Sequence, residues 1–264
     1  MTARRSVLCV VGVIVVAILA ASDVGAFHLS THRKILMEAL YRNGVIVNGE
    51  RLKFDVDSVM KIDEENGALD RHETLENLLG IDGDPVWHFD DEKIADSNAR
   101  LIDLRKSILR KLVEGKLDSA RALLGQATHL LSDFYAHTNW IELGNDAPNI
   151  DVGIRPLTTP IASVGESTCA NDGASLKGVG LTKLTSGYFA GIKTCTLPSG
   201  KCRHGGPAAC RAGISKDAED APKHDNAQAL ATEAVVAFVG GILQEAATAG
   251  GISNVRKLLK APSP

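Results

Sequence analysis

Two histidines and an aspartate recur at intervals of four residues in the middle of the chain. His129, Asp133 and His137 lie in a segment with strong helical periodicity. Each residue of an α-helix advances by ~100°, so three side chains at this spacing form a slowly turning row on one face. Apolar residues fill much of the rest of the helix, so the row faces the interior, where unpaired polar groups are costly. Zinc is a suitable partner, because it binds histidine nitrogen and aspartate oxygen.

Further histidines increase the number of candidate ligands. Without them, a row of hydrogen-bonded structural side chains would explain the pattern as well as a metal would. His72 and His204 lie outside any ligand pattern, and we expect both to be exposed. The other candidates precede the row or open the last long helix: His28, His32, His88 and His224.

The elements that must position these residues are mostly helical. Alternating strand patterns are sparse, whereas apolar residues often recur at i, i+3, i+4 and i+7. We therefore expect a mainly α fold, with residues 27–264 forming a single zinc-binding helical domain. The periodicity predicts four long helices, over residues 32–43, 93–114, 118–143 and 224–248.

The first 26 residues have the pattern of a secretory signal peptide. Arg4 and Arg5 precede an apolar run over residues 7–21, and small residues end at Ala26. Cleavage after Ala26 predicts a secreted, extracellular protein, with an uncleaved membrane anchor as the alternative. No later segment is expected to span a membrane.

Of the five cysteines, Cys9 lies in the first 26 residues, and the other four crowd into residues 144–223, a stretch rich in glycine and proline. An even number of cysteines behind a signal peptide predicts two disulfides, with three possible pairings. A cysteine-ligated zinc is the weaker alternative, because no CxxC pair is present. Our working hypothesis pairs Cys169 with Cys202 and Cys195 with Cys210.

The charge balance argues against long nucleic acid as a partner. The chain has 29 Lys and Arg against 32 Asp and Glu, a net charge of −3. No cluster of Lys and Arg forms a stripe that could follow a phosphate backbone.

Several sequence blocks occur in the same order in one known family. The most specific block runs over residues 124–144 and contains the histidine row. Others include residues 84–89 (DPVWHF), 184–189 (LTSGYF), 201–206 (KCRHGG) and 213–217 (GISKD). Together they resemble the N-terminal region of the animal von Willebrand factor A domain-containing protein 7 family, a group linked with het-C-like proteins. The resemblance covers nearly all of residues 27–248.

More distantly, the order of the ligands resembles the zinc-dependent phospholipase C and single-strand nuclease superfamily. These helical enzymes use three zinc ions to hydrolyse phosphate esters. The resemblance implies a phospholipase C/nuclease-like helical bundle, with the cysteine-rich stretch as a disulfide-stapled, loop-rich insertion. The mature N-terminus of these enzymes ligates zinc, and in the nuclease branch a histidine follows five residues later. Phe27 and His32 have that spacing.

Carried over residue by residue, this resemblance implies up to three zinc ions. The first would be held by Asp70, His88, His129 and Asp133. The second would be held by the Phe27 terminus, His32 and a bridging Asp133, and the third by His137 and His224. Alternatives for the first-site carboxylate are Glu73, Asp82 and Asp84.

The third site departs from the superfamily pattern. Gln228 stands where the enzymes have a glutamate ligand, and a neutral amide is a poor ligand for zinc. Asp225, Asp217 or Glu142 could substitute for that glutamate.

Two functions of different classes follow from the resemblance. One is a secreted zinc-dependent phosphodiesterase of phospholipase C-like type. It would act on a phospholipid or another phosphate ester through a metal-bound water, with Asp70 as a candidate assisting side chain. The other is a non-catalytic extracellular recognition or structural module that retains the metal cluster. The long cysteine-rich stretch and Gln228 favour this second function.

Overall fold

Helices account for most of the structure and surround one central helix. A computed structural model describes residues 29–79, 83–189, 197–204 and 213–260, with the backbone alone given for residues 73–79. The mainly α fold expected from the sequence is confirmed. Within these ranges the α-helices are α1 (Leu29–Leu36), α2 (Val56–Leu79), α3 (Ile94–Val113), α4 (Leu117–His137), α5 (His224–Ala246) and α6 (Ile252–Leu258).

Shorter elements extend or connect these helices. Wider π-helical turns continue α1 over Met37–Asn43 and α5 over Ala247–Gly251. Single 3₁₀ turns occupy Pro85–Trp87 and Gly178–Leu181. Two two-stranded sheets complete the described part: an antiparallel pair, β1 (Val45–Val47) with β2 (Glu50–Leu52), and a parallel pair, β3 (Tyr188–Phe189) with β4 (Arg203–His204).

Helix α4 is the centre of the core. It packs against α2, α3 and α5, and every residue from Ala127 to His137 is buried. Gly115 ends α3 with a φ of 71° and lets the chain reverse into α4. At Gly125 the backbones of α2 and α4 meet, since a Cβ there would lie 2.4 Å from the Ile62 carbonyl oxygen. This close approach brings α2 against the histidine row.

The sequence reasoning missed α2, and the reason is physical. The helix buries Asp63, Asn66 and Asp70 on the side that also buries Val59 and Ile62. Polar residues on the buried face blur the apolar periodicity by which an amphipathic helix is recognised. Helix α2 is nevertheless the element that carries Asp70.

The stretch from 144 to 223 is irregular, as expected. A 3₁₀ turn and the strands β3 and β4 are the regular structure in its described part. A disulfide joins Cys169 to Cys202, which confirms the first of the two predicted pairs. The predicted signal segment 1–26 lies outside the described residues, as do Phe27, His28, Cys195 and Cys210.

One helical run contradicts the expectation that no segment after the predicted signal peptide is long and apolar enough to span a membrane. His224–Leu258 is long and apolar enough by length and composition, and half of its most apolar window is buried inside the protein. Buried residues of α5, among them Ala231, Val235 and Phe238, belong to the main hydrophobic core.

Candidate metal centre

Five residues predicted as ligands meet around Asp133, and we call this group the Asp133 centre. His32 comes from α1, Asp70 from α2, and His129 and Asp133 from α4, while His88 follows the Pro85–Trp87 turn. All five are at most 4% exposed. The sequence-based grouping therefore corresponds to a real cluster of side chains, within which groups of three could hold a metal ion.

Three ligand atoms of this centre form a nearly equilateral triangle. His129 Nε2 lies 3.0 Å from Asp133 Oδ2 and 3.2 Å from His88 Nδ1, and His88 Nδ1 lies 3.1 Å from Asp133 Oδ2. Asp70 Oδ1 approaches His129 Nε2 to 3.6 Å. Ligands about 2.0–2.1 Å from one tetrahedral ion would lie ~3.3 Å apart, so these spacings fit one zinc ion.

The second oxygen of Asp133 faces a different imidazole. Oδ1 lies 3.2 Å from His32 Nε2, whereas Oδ2 faces His88 and His129. Asp70 Oδ2 is 4.0 Å from the same His32 nitrogen. The Asp133 carboxylate thus faces His32 with one oxygen and the pair His88 and His129 with the other, as the predicted bridging role between two ions requires.

Among the alternative carboxylates, Asp84 is committed elsewhere. Its Oδ1 accepts from the Val86 backbone N–H at 3.0 Å, and its Oδ2 pairs with Arg100 at 3.1 Å. The side chains of Glu73 and Asp82 lie outside the described residues.

A second cluster lies one turn further along α4, and we call it the His204 centre. It consists of Asp90, His137, His204 and Asp217, all buried. The imidazoles of His137 and His204 stack with their centroids 3.6 Å apart and their planes tilted by 31°. Asp217 lies on one edge of the stack, 3.2 Å from His137 Nε2 and 3.1 Å from His204 Nδ1. Asp90 lies on the other edge, 3.1 Å from His137 Nδ1 and 3.3 Å from His204 Nε2.

The expectation that His204 is exposed was wrong, whereas His72 is exposed as predicted. His204 is 1% exposed because β4 pairs with β3 and brings it against Gly187, where a Cβ would lie 2.1 Å from the His204 Cβ. The Gly187 N–H donates to the His137 carbonyl at 3.0 Å, so this glycine joins both histidines. Asp90 and His204 were missed because no sequence spacing links them.

Asp90 is held by an unusual stretch of backbone. Phe89, Asp91 and Glu92 all have positive φ, between 54° and 61°. Such conformations are costly for residues with side chains and persist only where many contacts impose them. Buried Glu92 supplies these contacts by accepting from Thr185 Oγ1 at 2.7 Å and from Lys201 Nζ at 3.1 Å. The same Lys201 precedes Cys202, so the ion pair and the disulfide together fix the segment that carries His204.

The segment that carries Asp217 is held by a buried lysine. Lys216 Nζ donates to the carbonyls of Thr138 and Ile214, each at 2.9 Å, and pairs with Glu142 at 3.2 Å. Burial lowers the pKa of Lys216, although Glu142 opposes that shift. Glu142, once a candidate third-site ligand, therefore lies in contact with a lysine.

His224 was predicted to share the third site with His137, and it lies beside the same segment. Its ring Nδ1 lies 2.7 Å from the Lys216 carbonyl oxygen, one residue before Asp217. Gln228 is partly exposed, and Asp225 is exposed. Of the three substitutes considered for the missing glutamate, Asp217 is the one that the structure brings to His137.

The electrostatics of the two centres differ. Burial acts to raise the pKa of Asp133, but His129 and His137 outweigh it and hold that pKa well below its usual range. Burial lowers the pKa of His129, and the nearby carboxylates do not fully compensate. For His32 in the same centre, burial also acts to lower the pKa, but Asp133 and Asp70 outweigh it and raise the pKa. For His204, burial also acts to lower the pKa, but Asp90 and Asp217 outweigh it and raise the pKa to about 9.

The fold and the clusters define a mainly helical domain with buried histidine–carboxylate groups of a kind that could hold metal ions. A family model described as the VWA7 N-terminal domain matches residues 36–250. The chain belongs to this family, which confirms the resemblance noted in the sequence.

Curated relatives agree with this assignment. The chain is similar to von Willebrand factor A domain-containing protein 7 of rat (35% identical over 162 residues), mouse (36% over 162) and human (35% over 164). Each match covers 57% of the chain and 18% of the relative, so the chain spans a minor part of those proteins. No solved structure matches the chain.

Proposed function

We propose that this chain is a secreted zinc-binding domain whose Asp133 centre hydrolyses phosphate esters. The observation that carries the proposal is the Asp133 carboxylate, whose Oδ2 faces the buried imidazoles of His88 and His129 and whose Oδ1 faces that of His32, all at 3.0–3.2 Å. Histidine nitrogen and carboxylate oxygen form a suitable donor set for zinc, and the spacings fit a tetrahedral ion.

The residues of the centre would divide the work between them. Asp70, His88, His129 and Asp133 would hold one ion, and His32 with the other oxygen of Asp133 would hold a second, together with the predicted Phe27 amine. Bound zinc supplies an activated water near neutral pH and charge stabilisation for a phosphate ester. Asp70 lies between His129 and His32, 3.6 Å and 4.0 Å from their Nε2 atoms, and could orient that water. A phospholipid or other phosphate ester is the proposed substrate class, because the chain lacks a basic stripe for long nucleic acid.

Secretion is supported by the disulfide. A Cys169–Cys202 bond forms and persists in oxidising compartments, which agrees with the signal-peptide pattern of residues 1–26.

The burial of the ligands favours a second function, a non-catalytic extracellular module in which zinc has a structural role. Structural zinc sites are closed, whereas catalytic ones keep an open position. A groove of about 950 Å³ is lined by Asp118, Arg121 and residues of α6. Asp118 is 11 residues before His129, which places this groove ~16 Å away along α4.

The test compares two aspartates in protein secreted with its native terminus. Zinc content and hydrolysis of bis-p-nitrophenyl phosphate and of phosphatidylcholine vesicles would be measured for Asp70→Asn and for Asp84→Asn as a matched control. We expect Asp70→Asn to lose zinc and activity and Asp84→Asn to keep both. Zinc without hydrolysis in the wild type would support the structural module, and absence of zinc would reject both functions.

A further inference from the structure

The second cluster has unsatisfied atoms that point to a ligand. His137 Nε2, His204 Nδ1 and Asp217 Oδ1 are buried, and none makes a well-directed hydrogen bond to a residue that the structure describes. They nevertheless lie close together, with His137 Nε2 3.2 Å from Asp217 Oδ1 and His204 Nδ1 3.1 Å from Asp217 Oδ2. Buried polar atoms normally have partners. These atoms lie close together, but the geometry for hydrogen bonds between them is poor. Such an arrangement is the one expected for ligands of a common ion.

The opposite edge of the stacked rings is occupied differently. His137 Nδ1–H donates to the His88 carbonyl at 2.7 Å, and His204 Nε2 lies 3.3 Å from Asp90 Oδ2. Asp90 Oδ1 lies 3.1 Å from His137 Nδ1 and also makes no well-directed hydrogen bond to a described residue, so Asp90 and the two histidines also have the spacing of a metal-binding group. Histidine ligands of a metal usually donate their second ring N–H to a carbonyl or carboxylate, which fixes the tautomer and the ring orientation. Both imidazoles therefore have the outer contacts of metal ligands, with Asp90 in the outer position.

Charge and fixation of the carboxylate point the same way. A divalent ion balances the charges of Asp90 and Asp217 while both stacked imidazoles remain neutral. Ser215 Oγ donates to Asp217 Oδ2 at 3.0 Å, and neighbouring Lys216 is fixed to α4, so the carboxylate is oriented by its own segment.

We propose that His137 Nε2, His204 Nδ1 and Asp217 bind a divalent metal ion beside the Asp133 centre, where His137 Nε2 lies 4.0 Å from Asp133 Oδ1, and that Asp90 positions the imidazoles. His204 and Asp217 are supplied by the disulfide-pinned stretch, so the ion joins this stretch to α4. Two histidines and one carboxylate suit several divalent first-row ions. Zinc is the probe used in the test.

The experiment counts zinc in the secreted full chain and in single variants. We expect His204→Ala and Asp217→Asn each to lose one ion per chain and to keep the zinc of the Asp133 centre. His72→Ala, at an exposed histidine, should keep all of it. Asp90→Asn should retain the ion with an affinity weakened by roughly 10–100-fold, as for an outer contact. The proposal would be overturned if His204→Ala bound as much zinc as the wild type. It would also be overturned if Asp90→Asn lost the ion completely while Asp217→Asn kept it.

A measurement on the wild type covers a variant that fails to fold. Nitrogen-15 spectra of the zinc-loaded chain should show His137 as the Nδ1–H tautomer and His204 as the Nε2–H tautomer, each with its other nitrogen bound to metal. Two protonated nitrogens on either ring in the presence of zinc would contradict the assignment. The result is independent of the proposed hydrolysis, since His32, His88 and His129 report separately on the Asp133 centre.

Discussion

The two centres share helix α4 but are assembled in different ways. The Asp133 centre takes four of its five residues from α-helices, whereas the His204 centre takes one residue from α4 and three from irregular segments or a two-residue strand. Helical ligands are placed by spacing along the helix, which is visible in the sequence. Loop ligands are placed by tertiary contacts such as the Glu92–Lys201 ion pair, and such contacts are not visible in the sequence. The two centres should therefore respond differently to the same kinds of perturbation.

The largest expected effect is that of Asp133→Asn. The change removes a buried charge that faces three histidines, and the loss of one partner of a buried pair costs about 3–5 kcal/mol. We expect the Asp133 centre to lose its zinc while the His204 centre keeps its ion. Zinc content and urea unfolding measure this. The control is Asp103→Asn, whose exposed pair with Lys106 should contribute at most ~1 kcal/mol. Simultaneous loss of zinc from both centres would show that they bind metal as one unit.

Removal of the disulfide should affect the two centres unequally. Replacing Cys169 and Cys202 by serine opens a link between residues 33 positions apart and should cost ~2–4 kcal/mol of unfolding free energy. His204 lies two residues after Cys202, so zinc should be lost from its centre first. The measurement is the zinc retained at each centre, in the serine variant and in the wild type with and without reductant. Equal loss from both would show that the disulfide stabilises the whole domain without favouring the His204 centre.

Substitution of two glycines should disturb the two centres separately, because each glycine allows a close contact next to one of them. In Gly187→Ala the new Cβ would meet His204, and in Gly125→Ala it would meet the Ile62 carbonyl oxygen of α2. Each should cost ~1–3 kcal/mol through overpacking. We expect the first to weaken zinc binding at the His204 centre and the second at the Asp133 centre. Gly165→Ala is the control, because open space surrounds that position. The reverse pattern in zinc titrations would contradict the contacts described.

The smallest expected effect is a difference in pH dependence of the metal-free protein. The pKa of His204 is raised to about 9, so its stabilising contribution is present below pH ~6.5 and is lost as pH rises towards 9. The pKa of His129 is lowered, so its contribution is lost as pH falls below ~6.5.

Unfolding midpoints with EDTA at pH 5.5, 7 and 9 would show this. His204→Ala should flatten the alkaline side of the curve, and His129→Ala should flatten the acid side. An unchanged slope on the alkaline side in His204→Ala would show that protonated His204 is not stabilised by Asp90 and Asp217.

The sequence predicted the Asp133 centre better than the His204 centre. The row on α4 and the residues His32, Asp70 and His88 were found from periodicity and from resemblance, and the structure brings them together. Asp90 and His204 were not found from spacing, because Gly187 and the Glu92–Lys201 pair bring them to α4 only after folding. The available signal for His204 was its place in the KCRHGG block that carries the family resemblance. The β1–β2 hairpin, by contrast, carried a usable signal that was overlooked: Asn48–Gly49, both at positive φ, is a typical hairpin turn.

The most direct test of two separate metal centres is an anomalous difference map, collected at the zinc edge, from crystals of the secreted chain. The account predicts density beside His88, His129 and Asp133, and a distinct peak bounded by His137, His204 and Asp217. A second maximum near His32 would support the bridging role of Asp133. Absence of anomalous density from both clusters in zinc-supplemented crystals would contradict the account.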